Sequence, residues 1–243
     1  MVNHNRLSSS LRRLRSVAHR EDLYPALSEL CTGYGFTHMT FLVVHAGTAT
    51  STPPYFCTTY PDAWTAAYVD RGYFERDPGL DVMRLGFLPV DWSALDWRSR
   101  PAGRLFKEAC SYGIGSQGLT IPIRGANGER SLFSVTSNLP RRQWIRLRDS
   151  RVHEMQLLAH YLHETVFDAL AFRKSVRMRQ LSRRESQCLQ LLAIGRISKQ
   201  IAADLGISEN AVKLYLRSAR LKLRALTTYH AVAKATFLEL IRL

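Results

Sequence analysis

The chain has 243 residues, 46% apolar and 22% charged, a composition ordinary for a soluble globular protein and a length that suits two domains. Its net charge of +14 is not ordinary, and it is localised: from Arg173 onward 15 Lys or Arg face 4 Asp or Glu, a net +11, leaving +3 on the first 172 residues. That footprint fits a phosphate backbone, an anionic membrane surface being the other partner such charge attracts.

Cys31, Cys57, Cys110 and Cys188 are far apart and form no Cys-x-x-Cys pair, which excludes a disulfide frame or zinc site and reads as buried thiols in a reducing compartment. No run of about 18 apolar residues occurs and the N-terminus lacks an h-region, so the expectation is a cytoplasmic chain that neither spans a membrane nor is exported. The opening stretch HNRLSSSLRRLRSVAH is basic and amphipathic. It reads as a domain-covering helix in preference to a targeting peptide or membrane-surface helix.

In chain order, residues about 6–34 show apolar side chains at helical spacing, from Leu7, Leu11 and Leu14 to Leu27 and Leu30, until Gly33 and Gly35 break the pattern. HMTFLVVHA (38–46) reads as a strand and YFCTTY (55–60) as a second, across a Thr/Ser/Pro loop at 48–54. Pro61 opens an element with Trp64, Ala67 and Tyr68 on one face. Asp77-Pro78-Gly79 is a turn that starts a short helix. A helix around Leu105–Cys110 is followed by strands 118–123 and 130–136, with Asn127-Gly128 at the tip of their hairpin. A long helix spans 148 to about 172. The expected fold is α+β: residues 1–170 form an α/β/α sandwich on a central antiparallel sheet, and 171–180, rich in cations, form a linker.

Residues 181–243 read as an all-α, four-helix domain. Ser182 precedes Glu185 at capping-box spacing and Gly195 ends that helix. Ile201, Ala202 and Leu205 give the next helix an apolar face, Gly206 turns the chain, and Ser208 caps a basic helix. Val212, Leu214, Leu216, Ala219, Leu221 and Leu223 are its expected apolar side, with Lys213, Arg217, Arg220, Lys222 and Arg224 on the rest. Two helices across a short turn, the second basic, match a helix-turn-helix DNA reader. A last helix covers 230–241.

Motifs that point elsewhere fail on context. Gly113, Gly115 and Gly118 spell G-x-G-x-x-G, but a helix precedes them and a strand follows, the reverse of a dinucleotide loop. His153, His160 and His163 share a helix without a second set of metal ligands, and read as surface or interface histidines. No nucleophile elbow, phosphate loop or zinc-protease motif occurs, so the expectation is no enzyme, no metal and no cofactor. The dense aromatics from Tyr55 to Trp97 leave two readings open, plain core or the wall of a small-molecule pocket with Asp77, Thr120 and Ser134 as its polar groups. Asp77 as a simple helix cap is equally open.

Two sets of residues together resemble one family. Tyr60-Pro61-x-x-Trp64-x3-Tyr68, Tyr73-Phe74-x-x-Asp77-Pro78, Trp92 and Gly118-x-Thr120-x-Pro122 precede Leu181-Ser182-x-Arg184-Glu185-x3-Leu189-x5-Gly195 and Ile201-Ala202-x-x-Leu205-x-Ile207-Ser208-x3-Val212. In that order they are similar to LuxR-type quorum-sensing transcriptional regulators, over nearly the whole chain. The resemblance implies an N-acyl-homoserine lactone as the ligand. Trp64 would donate to the lactone carbonyl, Asp77 would accept from the amide N–H, and Tyr60 and Ser134 would bond the acyl carbonyl with Thr120 nearby. Tyr68 and Trp92 would be walls. It also implies a homodimer on a palindromic promoter site in double-stranded DNA. There Lys213 and Arg217 would enter the major groove, and Lys199, Asn210, Arg220 and Lys222 would contact the backbone, with solvated charge as their other reading. Helices 148–172 and 230–241 are the dimerisation candidates. A ligand-independent regulator of the same fold is the alternative. A response regulator is disfavoured because no Asp sits at a strand end of an alternating β/α domain.

Overall fold

A computed structural model describes residues 4–47, 55–125, 128–172 and 180–242. They fall into two compact units, one of residues 4–46, 55–124 and 129–172, the other of residues 47, 125, 128 and 180–242. The loop 48–54, the Asn127 turn tip and residues 173–179 of the linker 171–180 lie outside the described residues.

The first unit opens with α1 (His4–Arg15) and α2 (Leu23–Tyr34), joined by a 3-10 turn at Arg20–Asp22. The continuous helix expected over 6–34 is therefore broken. The Asp22 carboxylate explains the break: it accepts the N–H groups of Ala18 and His19 at 3.3 and 3.1 Å and holds them in a turn. Then come β1 (His38–Ala46), β2 (Tyr55–Thr58), α3 (Asp62–Asp70), α4 (Pro78–Leu85), β3 (Val90–Asp91), α5 (Arg100–Ser111), β4 (Gln117–Arg124), β5 (Glu129–Ser137) and α6 (Arg141–Ala169). Helix α6 starts ahead of the expected 148, with Pro140 as its N-cap; its first turns carry many charges, but Ile145 and Leu147 pack on the core. Trp144 is buried and donates its indole N–H to Asp91 at 2.9 Å.

Among the described residues, five strands form one antiparallel sheet in the order β2-β1-β5-β4-β3. Alternation gives the sheet two characters. Met39, Phe41, Ile121, Phe133 and Val135 point to the face covered by α1, α2 and α6, where Leu27, Leu158 and Leu162 complete the main core. Each such fully buried side chain contributes about 1.5–3 kcal/mol. Thr40, Leu42, Thr120, Leu132 and Ser134 point to the opposite face, toward α3, α4 and α5.

His163 departs from expectation: it is buried, not at the surface, with Nδ1 3.0 Å from the Ser131 hydroxyl and its ring against Phe167. Position 163 falls on the α6 stripe of Ala159, Leu162 and Val166 that packs on the sheet, whereas His153 and His160 are exposed.

The second unit comprises α7 (Arg183–Ala193), α8 (Ser198–Leu205), α9 (Glu209–Lys222) and α10 (Thr228–Phe237). Its core is Cys188, Leu189, Ile201, Val212, Leu216, Ala219, Leu223, Ala231 and Ala235. Helix α10 begins ahead of the expected 230 because the Thr227 hydroxyl caps it, accepting from His230 N–H at 3.0 Å. Among the described residues no helix is long and apolar enough to cross a membrane.

Candidate ligand cavity and DNA-reading helix

The second face of the sheet is the floor of a cavity holding about 860 Å³ of empty space, its open mouth included. Register explains the floor. Thr58 pairs with Thr40, Thr40 with Ser134, and Ser134 with Thr120, so four hydroxyl side chains form one row across four strands. The row is hydrogen-bonded: Thr40 to Thr58, and Thr120 to Ser134 at 2.9 Å. The next row, two residues along each strand, is Phe56, Leu42 and Leu132, wholly apolar.

The walls come from the helical side. Trp64 and Tyr68 sit one turn apart on α3, Asp77 heads α4, and Trp92 follows β3. Trp64 is buried, stacks on Tyr73 at 5.9 Å and meets Tyr68 edge-on at 5.8 Å. Tyr73 is fixed in turn by donating to Glu108 at 2.6 Å. Trp92 is held on three sides. Its indole N–H donates to Thr120 Oγ1 at 2.9 Å, and its carbonyl accepts from the Trp97 indole at 2.7 Å. Its ring lies against Gly118, where a Cβ would come within 2.3 Å of the indole.

Asp77 is the carboxylate of the cavity. Its Oδ1 caps α4 by accepting Gly79 N–H at 2.7 Å, and its Oδ2 accepts the Tyr68 hydroxyl at 2.8 Å. The capping role and the cavity role therefore coexist in one side chain, since two carboxylate oxygens accept up to about four hydrogen bonds. Burial pushes its pKa above the usual carboxylate range, against the pull of the Tyr68 and Gly79 hydrogen bonds. Burial likewise raises the phenols of Tyr60 and Tyr68, which stay neutral donors.

All seven side chains expected around a ligand, Tyr60, Trp64, Tyr68, Asp77, Trp92, Thr120 and Ser134, line this one cavity. The aromatics divide between the two readings left open: Trp64 and Tyr73 are buried, whereas Tyr60, Tyr68, Phe74, Trp92 and Trp97 are only half-buried walls. Tyr68, expected as a wall alone, also orients Asp77. Sequence reasoning missed Thr40 and Thr58. The alternation that singled out Ser134 and Thr120 applies equally to β1 and β2, but only the register shows that all four share a row.

In the second unit, Gly206 turns the chain at φ 62°, and the Ser208 hydroxyl caps α9 by accepting Ala211 N–H at 3.2 Å. Lys199, Asn210, Lys213 and Arg217 are exposed, the last three on neighbouring turns of α9. Arg220 donates to the Leu226 carbonyl at 3.2 Å. Lys222 is engaged internally, its ammonium 2.7 Å from Glu185 and 3.2 Å from the Gln180 carbonyl. Leu214 and Leu221, expected on the apolar side, are instead 64% and 63% exposed. The buried stripe is Val212, Leu216, Ala219 and Leu223, and a residue two positions from such a stripe lies about 200° around the helix.

Comparison with known proteins gives two family matches: residues 19–166 match the autoinducer binding domain and residues 179–235 match the bacterial regulatory proteins of the luxR family. The chain is 49% identical over 180 residues to the transcriptional activator protein RaiR of Rhizobium etli, covering 74% of each. It is 27% identical over 222 residues to the transcriptional activator protein VanR of Vibrio anguillarum, covering 91% of each. Its fold is like that of Escherichia coli SdiA, with a TM-score of 0.72 at 22% identity over 98% of both chains. SdiA has also been solved in complex with octanoyl-rac-glycerol, and that structure gives a TM-score of 0.71 over 95% of this chain and 93% of that one.

Proposed function

The chain belongs to the LuxR family, transcriptional regulators and not enzymes, here with an autoinducer-binding domain, and from that premise we propose a quorum-sensing switch in the cytoplasm that binds an N-acyl-homoserine lactone and, as a homodimer, reads a palindromic promoter site. Residues 1–170 sense, 171–180 link, and 181–243 read DNA. The observation that carries this reading is the convergence of one half-buried acceptor, Asp77, with neutral donors on Tyr60, Trp64 and Ser134 around a largely apolar cavity. An acyl-homoserine lactone offers the complement: one amide N–H for Asp77, an acyl carbonyl for Tyr60 and Ser134, and a ring carbonyl for Trp64. Tyr68 holds Asp77 in place, and Trp92 is the wall beside Thr120.

On the DNA side, Lys213 and Arg217 enter the major groove, with Arg217 the better candidate for bidentate contact to guanine. Lys199, Asn210 and Arg220 touch phosphates. Lys222, its charge already paired with Glu185, is assigned to holding α9 in its unit. Helices α6 and α10 are the proposed dimerisation surfaces.

Ligand couples to output by mass action: at a hundred times its dissociation constant it stabilises the sensing unit by about 2.7 kcal/mol. Thermal unfolding and promoter-DNA affinity, measured on the full chain with and without acyl-homoserine lactones, test this. We expect a higher Tm and tighter DNA binding with ligand. Identical Tm and identical affinity across the ligand series would reject it in favour of a ligand-independent regulator.

A further inference from the structure

Leu214 is an apolar side chain standing in water in the middle of a face that is otherwise polar and basic. Helix α9 turns Val212, Leu216, Ala219 and Leu223 into its own unit. At about 100° per residue, Leu214 points away from that stripe. Around the helix it lies about 40° from Asn210 and about 60° from Arg217. Asn210 is one turn before it and Arg217 one turn after, so the three side chains are neighbours on the surface, with Lys213 at their edge. All four are exposed.

Leucine has neither donor nor acceptor, so it cannot take a phosphate oxygen or pair with the polar edge of a base. A DNA-reading face that only tracked phosphates would gain nothing from it. In the major groove each base edge presents polar atoms, and the one projecting apolar group is the 5-methyl of thymine. Set against any other base, Leu214 would cover a donor or acceptor without replacing its water, which disfavours that base. The other exposed leucine of α9, Leu221, lies in the last turn, beyond the N-terminal residues with which a recognition helix reaches the bases.

We infer that Leu214 is a base-reading residue: it packs on the 5-methyl group of a thymine in the major groove and fixes a T·A pair beside the base pair met by Arg217. This rests on the DNA-reading assignment of α9 and adds to it a residue that carries no charge and no hydrogen bond.

The test starts by selecting duplexes from a random pool with the full chain, both without ligand and with short-, medium- and long-chain N-acyl-homoserine lactones. Each thymine of the enriched site is then replaced in turn by deoxyuridine, which removes the methyl group and leaves the base pairing intact. Fluorescence anisotropy should show a loss of about fourfold at one position of each half-site, the worth of one buried methyl-sized group. Leu214→Ala should erase that difference, Leu214→Met should keep it, and Leu221→Ala should leave it as in the wild type. Leu214→Ala exchanges an exposed residue for the strongest helix former, so α9 should persist; Leu214→Gln, similar in length but polar, is the second variant and should erase the difference too. A site indifferent to every deoxyuridine, or a methyl effect of the same size in both Leu214→Ala and Leu214→Gln, overturns the inference while DNA reading stands. Enrichment of no sequence under any of these conditions overturns DNA reading itself.

Discussion

Asp77 and Glu185 are both carboxylates withdrawn from water at the start of a helix, one in each unit, and the protein treats them in opposite ways. Glu185 is fully answered. It accepts the Ser182 N–H at 2.6 Å, the Ser218 hydroxyl at 2.7 Å and the Lys222 ammonium at 2.7 Å. Burial pushes its pKa up, but these partners together outweigh burial and hold it below the usual range. Asp77 has a hydroxyl and one backbone N–H but, among the described residues, no cation in hydrogen-bond contact, and there burial wins. A carboxylate held by a cation and two other donors is architecture; one in a cavity with a raised pKa is the proposed ligand contact.

The largest expected effect comes from breaking the satisfied site. Glu185→Ala strands the Lys222 ammonium, 25% exposed, and removes the capping box and the Ser218 bond at once. A hydrogen bond to a charged group is worth about 1.5–3 kcal/mol, and the lost cap adds about 1. Urea denaturation of the second unit's helices should show a loss of that size. A loss below about 1 kcal/mol would mean that the network is ornamental. Asp77→Ala should behave differently: it sacrifices one cap, about 1 kcal/mol, but also a poorly solvated charge, so unfolding should barely move. Ligand affinity should fall by about 1.5–3 kcal/mol, the worth of a hydrogen bond to a charged group.

The two sites differed in how legible they were. Glu185 was readable as half of a capping box because Ser182 lies three residues away, but its pairing with Lys222 spans 37 positions and appears only when α7 meets α9. That is why Lys222 resembled a free cation. The strand 38–46 was legible because Thr40, Phe41, Val43 and Val44 cluster β-branched and aromatic side chains there, and Asp77 stood out beside Pro78. Thr40 carried no signal, since a threonine within a strand is ordinary until register sets it beside Ser134. Leu214 and Leu221 misled because apolar character was counted without the helical period, which turns them outward.

Acid sharpens the comparison with a sign. Glu185 has a depressed folded pKa, so its contribution is complete above the ordinary carboxylate range and is lost as pH falls through the depressed value. Asp77 has a raised folded pKa, so its ionisation costs stability as pH climbs from the ordinary carboxylate value through the raised one. Tm measured against pH should therefore change slope in opposite directions in Glu185→Gln and Asp77→Asn. Parallel curves for the two variants would contradict the assigned shifts.

The smallest effects on folding, and the most selective on function, belong to the exposed face of α9. Lys213, Arg217 and Lys199 are exposed, so replacing any of them with Ala should change unfolding by no more than about 0.5 kcal/mol. DNA binding should separate them. Arg217→Ala should cost about 1–3 kcal/mol on the cognate site and relax the preference at one base position, because a bidentate contact is lost. Lys199→Ala should weaken all sequences alike and lower the salt slope by about one, because one phosphate contact goes. Fluorescence anisotropy against cognate and scrambled duplexes at several salt concentrations distinguishes the two patterns. If Arg217→Ala gave the uniform loss instead, base reading would have to move to Lys213 and Asn210, the neighbours that share its face.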